Sequence, residues 1–256
     1  MDLEQFQKWV LKEYNLDLSA YKSNQLHRRI NSLMARVGAV SVEDYIKLLK
    51  SDPGQKKKFL DFITINVTDF FRNPDIFEEV KENMKALFYL NKNMPLKIWS
   101  AACSIGAEPF SIAMLLDEIS SGVKHRIIAT DIDSTILEIA KKGQFSSTEI
   151  KNVTKDRLRK YFKLDGQTYI INDNIKNMVE FKKHDLILDS YDTNLDLIVC
   201  RNVVIYFNQD TKDKMYNKFR NSLKIGGLLF VGATESIYNY REFGYEKAST
   251  FIYRKI

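Results

Sequence analysis

Residues 96–118, LKIWSAACSIGAEPFSIAMLLDE, decide the fold of this 256-residue chain. The stretch begins as an apolar run typical of a buried parallel strand, turns at residues 104–106, and continues with apolar residues at helical spacing. Strand, turn and helix form the first unit of a nucleotide site, because Gly106 lets a ligand approach the backbone and the helix start presents unpaired N–H groups. A dinucleotide fingerprint has further glycines here, so the turn alone leaves an ordinary strand-to-helix connection equally open.

The rest of the chain after residue 95 alternates between apolar strands and amphipathic helices. Such alternation predicts a parallel sheet with helices on both faces. The predicted strands are 96–102, 126–130, 196–200 and 228–231, and the predicted helices are 108–120, 135–142 and one that begins after Asn208. We expect a last strand, 251–254, to pair antiparallel with 228–231.

The first 90 residues predict a different architecture, because outside a connector at residues 63–73 their apolar residues recur at helical spacing. We therefore expect two domains, a small all-helical N-terminal domain with its linker (1–90) and an α/β sheet domain (91–256). Within the second domain, residues 146–183 interrupt the alternation. Short strands at 167–171 and 178–183 predict a small antiparallel β insertion there.

Composition limits the classes of protein to be considered. No apolar run approaches the roughly 20 residues that span a bilayer, and the N-terminus does not resemble a signal peptide, so we expect a cytoplasmic location and no membrane insertion. Cys103 and Cys200 lack companions at metal-ligand spacing, and we expect reduced thiols and no metal site. The net charge is +6, and residues 20–72 hold ten Lys/Arg against five Asp/Glu, which favours a polyanionic or acidic partner.

Polar residues stand at the ends of the predicted strands, where doubly wound sheets bind ligands. Asp131 lies 25 residues after Gly106 at the end of the second strand, the position of an acidic residue that binds ribose hydroxyls. A helix N-cap is the alternative for Asp131 or Asp133. With the connector before the sheet, the set suits a nucleoside-containing ligand and comprises Asn66, Thr68, Arg72, Glu108, Asp131, Asp185, Arg201 and Asn202.

Hydrolytic chemistry is not indicated. No Ser or Cys nucleophile has a base beside it, and His27, His125 and His184 are scattered along the chain. The reaction should need no nucleophile from the protein.

Five stretches of the sequence carry a resemblance to a known family. They are ITINVTDFFRN (63–73), IWSAACSIGAEPFSIA (98–113), ATDID (129–133), and DLIVCRNVVIYF (196–207) followed by GGLLFVGATESI (226–237). In this order they resemble the chemotaxis receptor glutamate methyltransferases, the CheR family, over essentially the whole chain. The resemblance implies a Rossmann-like methyltransferase that transfers the methyl group of S-adenosylmethionine to glutamate side chains on the cytoplasmic helices of chemoreceptors, leaving S-adenosylhomocysteine.

Matching positions imply the roles of single residues. Cofactor contacts would come from Asn66, Thr68, Arg72, Glu108, Asp131, Asp185, Leu186, Arg201 and Asn202, and Tyr206 would lie near the transferred methyl. We hypothesise that Arg72 is catalytic by orienting the cofactor's carboxylate or, loosely, the incoming glutamate. The chain departs from the family at Ala107, often Glu, and at Asp185, usually Asn.

Lys22, Arg29 and Arg36 form a basic stripe at i, i+7 and i+14 on the second predicted helix. A solvated helix edge is one interpretation. In light of the resemblance, we predict that the stripe docks an acidic receptor surface by electrostatic steering. The 146–183 segment resembles the family's β-subdomain, which in some members binds a receptor C-terminal peptide, but its loop at residues 165–166 is short and we expect no tether.

Three other functions compete with this interpretation. An RNA methyltransferase would use the same cofactor site, but no stacking aromatic lies between Tyr21 and Val40, and we expect no nucleic-acid partner. A non-catalytic signalling adaptor would not need polar strand ends at Asp131, Arg201 and Asn202. A nicotinamide dehydrogenase would need further glycines in the turn after the first strand, and this chain has only Gly106 there. We expect a monomer.

Overall fold

A computed structural model of the chain describes residues 3–63 and 68–256. Backbone contacts divide the chain into two compact units, residues 1–65 with 206–215, and residues 66–205 with 216–256. The division differs from the predicted boundary near residue 90, because the helix Pro74–Leu90 packs with the sheet through Phe77, Val80 and Met84.

The first unit is built from helices, as predicted. It contains α1 (Leu3–Tyr14), a 3-10 turn (Leu18–Ala20), α2 (Ser23–Arg36), α3 (Val42–Ser51) and α4 (Pro53–Ile63). Ser41 caps α3 by accepting from the N–H of Asp44 at 3.1 Å. Phe6 joins these helices through ring contacts with Tyr45 at 6.1 Å and Phe59 at 5.9 Å between centroids.

The strands of the second unit are β1 (Lys97–Ala101), β2 (Arg126–Asp131), β3 (Gln144–Phe145), β4 (Phe162–Asp165), β5 (Thr168–Ile171), β6 (Val179–Lys183), β7 (Leu195–Cys200), β8 (Leu223–Val231), β9 (Tyr245–Ser249) and β10 (Ile252–Lys255). Seven of them form one sheet in the order β6-β2-β1-β7-β8-β10-β9. The first five strands in this order pair in parallel, and β10 pairs antiparallel with both β8 and β9. This confirms the doubly wound sheet.

The other helices of the described residues lie before or between these strands. They are α5 (Pro74–Leu90), α6 (Ala107–Ile119), α7 (Ser134–Lys142), α8 (Lys155–Tyr161), α9 (Asp173–Lys176) and α10 (Gln209–Ser222). The first ten residues of α6 are all buried, which explains why its sequence is apolar on every side. Gly106 precedes α6 with φ +88°, and a Cβ there would lie 3.1 Å from both Phe110 and Phe181. Only glycine fits this turn without displacing packed rings.

The predicted β insertion needs a correction. The sequence predicts that residues 178–183 belong to it, but β6 pairs parallel with β2, with Ile127 opposite Val179 and Asp131 opposite Lys183. The small antiparallel sheet instead consists of β3, β5 and β4, which lie within residues 144–171. Alternation of apolar and polar residues predicts a strand but not the strand with which it pairs. Here the partner is β2 of the main sheet.

The predicted pairing of the last strand is confirmed, since Ile252 lies opposite Phe230 in antiparallel register. The sequence did not predict β9, which pairs with β10 at the sheet edge. Within the described part of the chain, none of the helices has the length and apolar character that crossing a membrane requires.

Candidate cofactor site

Asp131 ends β2 and holds the turn that follows β1. Its Oδ2 accepts the N–H of Ser104 at 2.9 Å, and its Oδ1 accepts the N–H of Asp133 at 3.1 Å. Ala102 and Ser104 have φ of +60° and +51°, which is uncommon for residues with a Cβ, so the carboxylate stabilises a strained turn. Burial raises the pKa of Asp131, and the N–H groups of Asp133 and Ser104 oppose that rise.

Asp133 is the N-cap of α7. Its Oδ1 accepts from the N–H of Thr135 at 2.8 Å and of Ile136 at 3.3 Å. The alternative interpretation of the two acids therefore applies to Asp133, and Asp131 remains at the sheet edge.

Glu108, in the first turn of α6, forms a buried ion pair. Its Oε1 accepts the hydroxyl of Ser100 at 2.8 Å, and its Oε2 lies 3.7 Å from Nη1 of Arg201. Burial raises the pKa of Glu108, while the charge of Arg201 and the hydrogen bond from Ser100 lower it. The Glu108 carboxylate, at the start of α6, thus contacts both β1 and the residue that follows β7.

Arg201 follows β7 and holds the loop before α5. Its Nη2 donates to the carbonyl of Arg72 at 2.9 Å and to Oδ1 of Asn73 at 3.1 Å. The guanidinium lies 4.7 Å from the ring centroid of Phe230 and is only 2% exposed, so burial lowers its pKa although Glu108 opposes the shift. The Arg201 side chain therefore holds the backbone of Arg72 in place.

Asn202 comes next, with φ +60°, and its N–H donates to Oε2 of Glu235 at 2.6 Å. The same oxygen accepts the N–H of Gly232 at 2.8 Å, and Oε1 accepts the N–H of Ile205 at 3.2 Å. Glu235 belongs to the motif at residues 226–237 but is not among the residues predicted to form the site. A glutamate just after a buried strand was the available signal.

Asp185 lies beyond β6, two residues from the sheet edge. Its Oδ1 accepts the N–H of Ile187 at 2.7 Å and of Leu188 at 3.2 Å, which forms a tight turn around Leu186. Leu186 is buried, and its carbonyl accepts the hydroxyl of Tyr191 at 2.7 Å. The second oxygen of Asp185, Oδ2, is buried and has no hydrogen-bond partner.

The connector before α5 is anchored by the β insertion and by α6. The N–H of Phe70 donates to the carbonyl of Glu149 at 2.9 Å, and that of Phe71 to the hydroxyl of Ser111 at 3.1 Å. Asn152 Nδ2 donates to Oδ2 of Asp69 at 3.1 Å and to the carbonyl of Phe70 at 3.3 Å. These bonds fix the segment that carries Thr68 and Arg72, both half-buried. The predicted residue Asn66 lies outside the described residues.

In the helical unit, α2 contacts the segment that contains Tyr206. The N–H of Lys22 donates to the Tyr206 carbonyl at 2.9 Å, and Arg29 lies 6.0 Å from the Tyr206 ring centroid. Arg29 also donates to the carbonyl of Phe62, and burial lowers its pKa. Arg36 is exposed and lies 5.3 Å from the Phe62 ring centroid. Of the predicted basic stripe, Arg36 is exposed, whereas Lys22 and Arg29 are half-buried.

Two family models together match nearly the whole chain. Residues 1–64 match the all-alpha domain of CheR methyltransferases, and residues 66–252 match their S-adenosylmethionine-binding domain. The chain belongs to the CheR methyltransferase family. It is therefore an S-adenosylmethionine-dependent methyltransferase that acts in chemotaxis.

Relatives named chemotaxis protein methyltransferase match most of the chain. A chemotaxis protein methyltransferase of Listeria monocytogenes is 36% identical over 98% of this chain and 95% of its own length. One from Escherichia coli strain K12 is 31% identical over 89% of this chain and 81% of its own. Among solved structures, a TehB-like SAM-dependent methyltransferase from Corynebacterium glutamicum aligns with a TM-score of 0.39 at 15% identity, covering 67% of this chain and 84% of that one.

The chemistry of the site fits S-adenosylmethionine. Among the described residues, the buried polar atoms without a hydrogen-bond partner at these strand ends include Ser104 Oγ, Asp185 Oδ2 and Arg201 Nε. Such atoms require a partner, and they offer a hydroxyl, an acceptor and a cationic donor. The cofactor carries ribose hydroxyls, an adenine amino group and a carboxylate, which are complementary groups.

Proposed function

We propose that this enzyme methylates glutamate side-chain carboxylates on the cytoplasmic helices of chemoreceptors, which yields methyl esters. The name of its relatives, chemotaxis protein methyltransferase, supports a substrate in that system. The proposal places the enzyme in the cytoplasm, beside those helices.

The observation that carries the proposal is that Glu108, Asp131 and Glu235 all bind groups of the protein itself. Asp131 and Glu235 accept backbone N–H groups, and Glu108 pairs with Arg201 and Ser100. An alcohol or amine substrate needs a base to remove its proton, whereas a glutamate with a pKa of about 4.3 is already ionised at neutral pH. A site whose acids bind protein groups suits a nucleophile that needs no base.

The bound cofactor supplies a methyl group activated by a positively charged sulfonium. Asp131 has acceptor capacity left for ribose hydroxyls, because each of its oxygens takes one of two possible hydrogen bonds from the backbone. Asp185 Oδ2 is a free acceptor for the adenine amino group, within a turn that also holds Leu186. The full proposed set is Asn66, Thr68, Arg72, Glu108, Asp131, Asp185, Leu186, Arg201 and Asn202.

Within that set, we propose that Glu108 and Arg201 mainly hold the neighbouring protein groups in place. Both are buried, and Arg201 uses Nη2 to hold the Arg72 carbonyl, so only its Nε is left for a ligand. Arg72 is half-buried, and its charge acts on both Glu108 and Arg201. We assign to Arg72 the orientation of the cofactor's carboxylate, since a tight clamp on the glutamate would stabilise the ground state and slow transfer.

Catalysis on this proposal comes from positioning and from exclusion of water. The reaction neutralises a carboxylate against a cation, so a dry and preorganised site favours it, with roughly 7–11 kcal/mol available from orientation at most. Tyr206 is proposed to lie beside the reacting groups. Its backbone is fixed by the N–H of Lys22, which restricts its position.

We propose that α2 docks the receptor, with Arg36 and Lys22 attracting acidic side chains. Arg29 lies on the same helix but is engaged by the carbonyl and ring of Phe62 and by the ring of Tyr206. We therefore assign Arg29 both to this surface and to the support of Tyr206.

The test uses radiolabelled S-adenosylmethionine with either acidic receptor helices or RNA. We expect label in the receptor that is released as volatile methanol by base, because carboxyl methyl esters are base-labile. Arg72→Ala should lower turnover even at saturating cofactor, with the exposed Lys85→Ala as control. Label retained in RNA would replace this proposal with the nucleic-acid alternative, and absence of transfer to either would favour the adaptor.

A further inference from the structure

Glu235 is a buried carboxylate that binds two loops at once. It lies just after β8, is 5% exposed, and accepts three backbone N–H groups, those of Asn202, Gly232 and Ile205. Asn202 and Ile205 belong to the loop after β7, and Gly232 belongs to the loop after β8. These strands are parallel neighbours, with Cys200 opposite Val231 at their ends.

The backbone is shaped to bring these groups together. A Cβ on Gly232 would collide with the Glu235 carboxylate and lie 3.0 Å from the N of Asn202. Asn202 has φ +60°, a conformation that costs free energy unless its surroundings hold it. The strong hydrogen bond from its N–H to a charged oxygen supplies that restraint.

A neutral side chain could not replace the carboxylate. Three converging N–H donors need acceptor oxygens on both sides of one group, which a carboxylate provides and a carboxamide does not. Burial raises the pKa of Glu235, and the N–H groups of Asn202, Gly232 and Ile205 oppose the rise. The oxygens are directed at the protein backbone.

We propose that Glu235 is a positioning residue for the cofactor, which it serves by fixing the loop of residues 202–205 so that Asn202 faces the ligand. The inference rests on the proposed contact between Asn202 and the cofactor. Glu235 acts through Asn202 and does not touch the cofactor.

The test measures S-adenosylhomocysteine binding by titration calorimetry for the wild type, Glu235→Gln and the control Glu242→Gln. Glu242 is exposed in the same loop, where it accepts from Asn239 at 3.1 Å. Loss of hydrogen bonds to a buried charge should weaken binding by Glu235→Gln roughly tenfold or more at unchanged stoichiometry, and Glu242→Gln should bind like the wild type. The KM for receptor should stay unchanged, because the helical unit is not altered.

Each other result has a defined meaning. A wild-type Kd for Glu235→Gln would overturn the inference, as would fewer binding sites per chain at an unchanged Kd, which indicates a fold defect alone. A wild type that fails to bind S-adenosylhomocysteine would refute the cofactor site itself. Should Glu235→Gln not fold, Glu235→Asp keeps the charge but shortens the reach, and it should also raise the Kd. Rapid hydrogen exchange of the Asn202 and Gly232 amides in the unliganded wild type would refute the inference without any variant.

Discussion

The guanidinium of Arg29 lies 6.0 Å from the ring centroid of Tyr206. Arg29 thus links α2 to the segment that carries the proposed catalytic tyrosine. A cation near an aromatic face contributes about 0.5–1 kcal/mol at partly exposed sites. The contact gives Arg29 a task that its neighbours on the helix do not share.

We expect Arg29→Ala to lower turnover at saturating receptor and cofactor by roughly two- to fivefold, since Tyr206 loses its cationic neighbour. The neighbouring Arg28 is exposed, and Arg28→Ala carries the same loss of charge. Steady-state kinetics at high receptor concentration separates the two variants. Equal turnover in both would mean that Arg29 serves docking alone.

Charge reversal at Arg36 should raise the KM for receptor and leave turnover unchanged. Arg36→Glu places an acid on an exposed position of α2, so attraction to acidic helices becomes repulsion. The effect should be several-fold at low ionic strength and should nearly disappear at 1 M salt, where the Debye length is about 3 Å. Lys12→Glu changes the net charge by the same amount at an exposed position of α1, and it should not alter the KM for receptor. A salt-independent effect would contradict steering.

The buried pair of Glu108 and Arg201 should show strong coupling in stability. Glu108→Gln leaves the Arg201 charge buried without its partner and should lower the free energy of unfolding by about 3 kcal/mol. Arg201→Met also removes the bonds to the Arg72 loop. The double variant should lose less than the two single losses combined, measured by denaturant unfolding. Strict additivity would show that the two charges do not interact.

Asp131 should make stability depend on pH. Because burial raises its native pKa, the native state binds its proton more tightly than the unfolded state does. This contribution is complete below the unfolded pKa of about 3.9 and is lost as pH rises through the native pKa. Asp131→Asn should therefore flatten the decline in Tm above pH 4, relative to the exposed control Asp156→Asn. Parallel Tm profiles for Asp131→Asn and the wild type would refute the assignment.

Asp185→Asn should weaken cofactor binding although it restores the residue usual in the family. Asp185 Oδ1 already serves two backbone N–H groups, so a carboxamide that keeps this turn presents its NH2 where Oδ2 now lies. An NH2 group cannot accept from the adenine amino group. Titration with S-adenosylhomocysteine should show a several-fold higher Kd. Tighter binding would show that this position faces an acceptor on the adenine ring.

The order of strands and helices could be predicted because each pattern is local. Asp131 could be identified as a sheet-edge residue from its place after a buried run, and the structure puts it there. Contacts between distant residues could not be predicted in the same way. Glu235 reaches Asn202 across 33 residues, and Arg201 reaches Arg72 across 129. The sheet to which β6 belongs was predicted wrongly for the same reason. The alternation of apolar and polar residues within a strand does not specify the strand with which it pairs.

The bonds from Glu149 and Asn152 to the Phe70 segment limit how this enzyme could be re-engineered. An exchange of the small β sheet with that of a relative would sever the restraints on the residues that precede α5. A chimera that transplants residues 144–171 together with 68–73 would keep both sides of that contact matched. The small β sheet and the segment before α5 therefore have to be exchanged together.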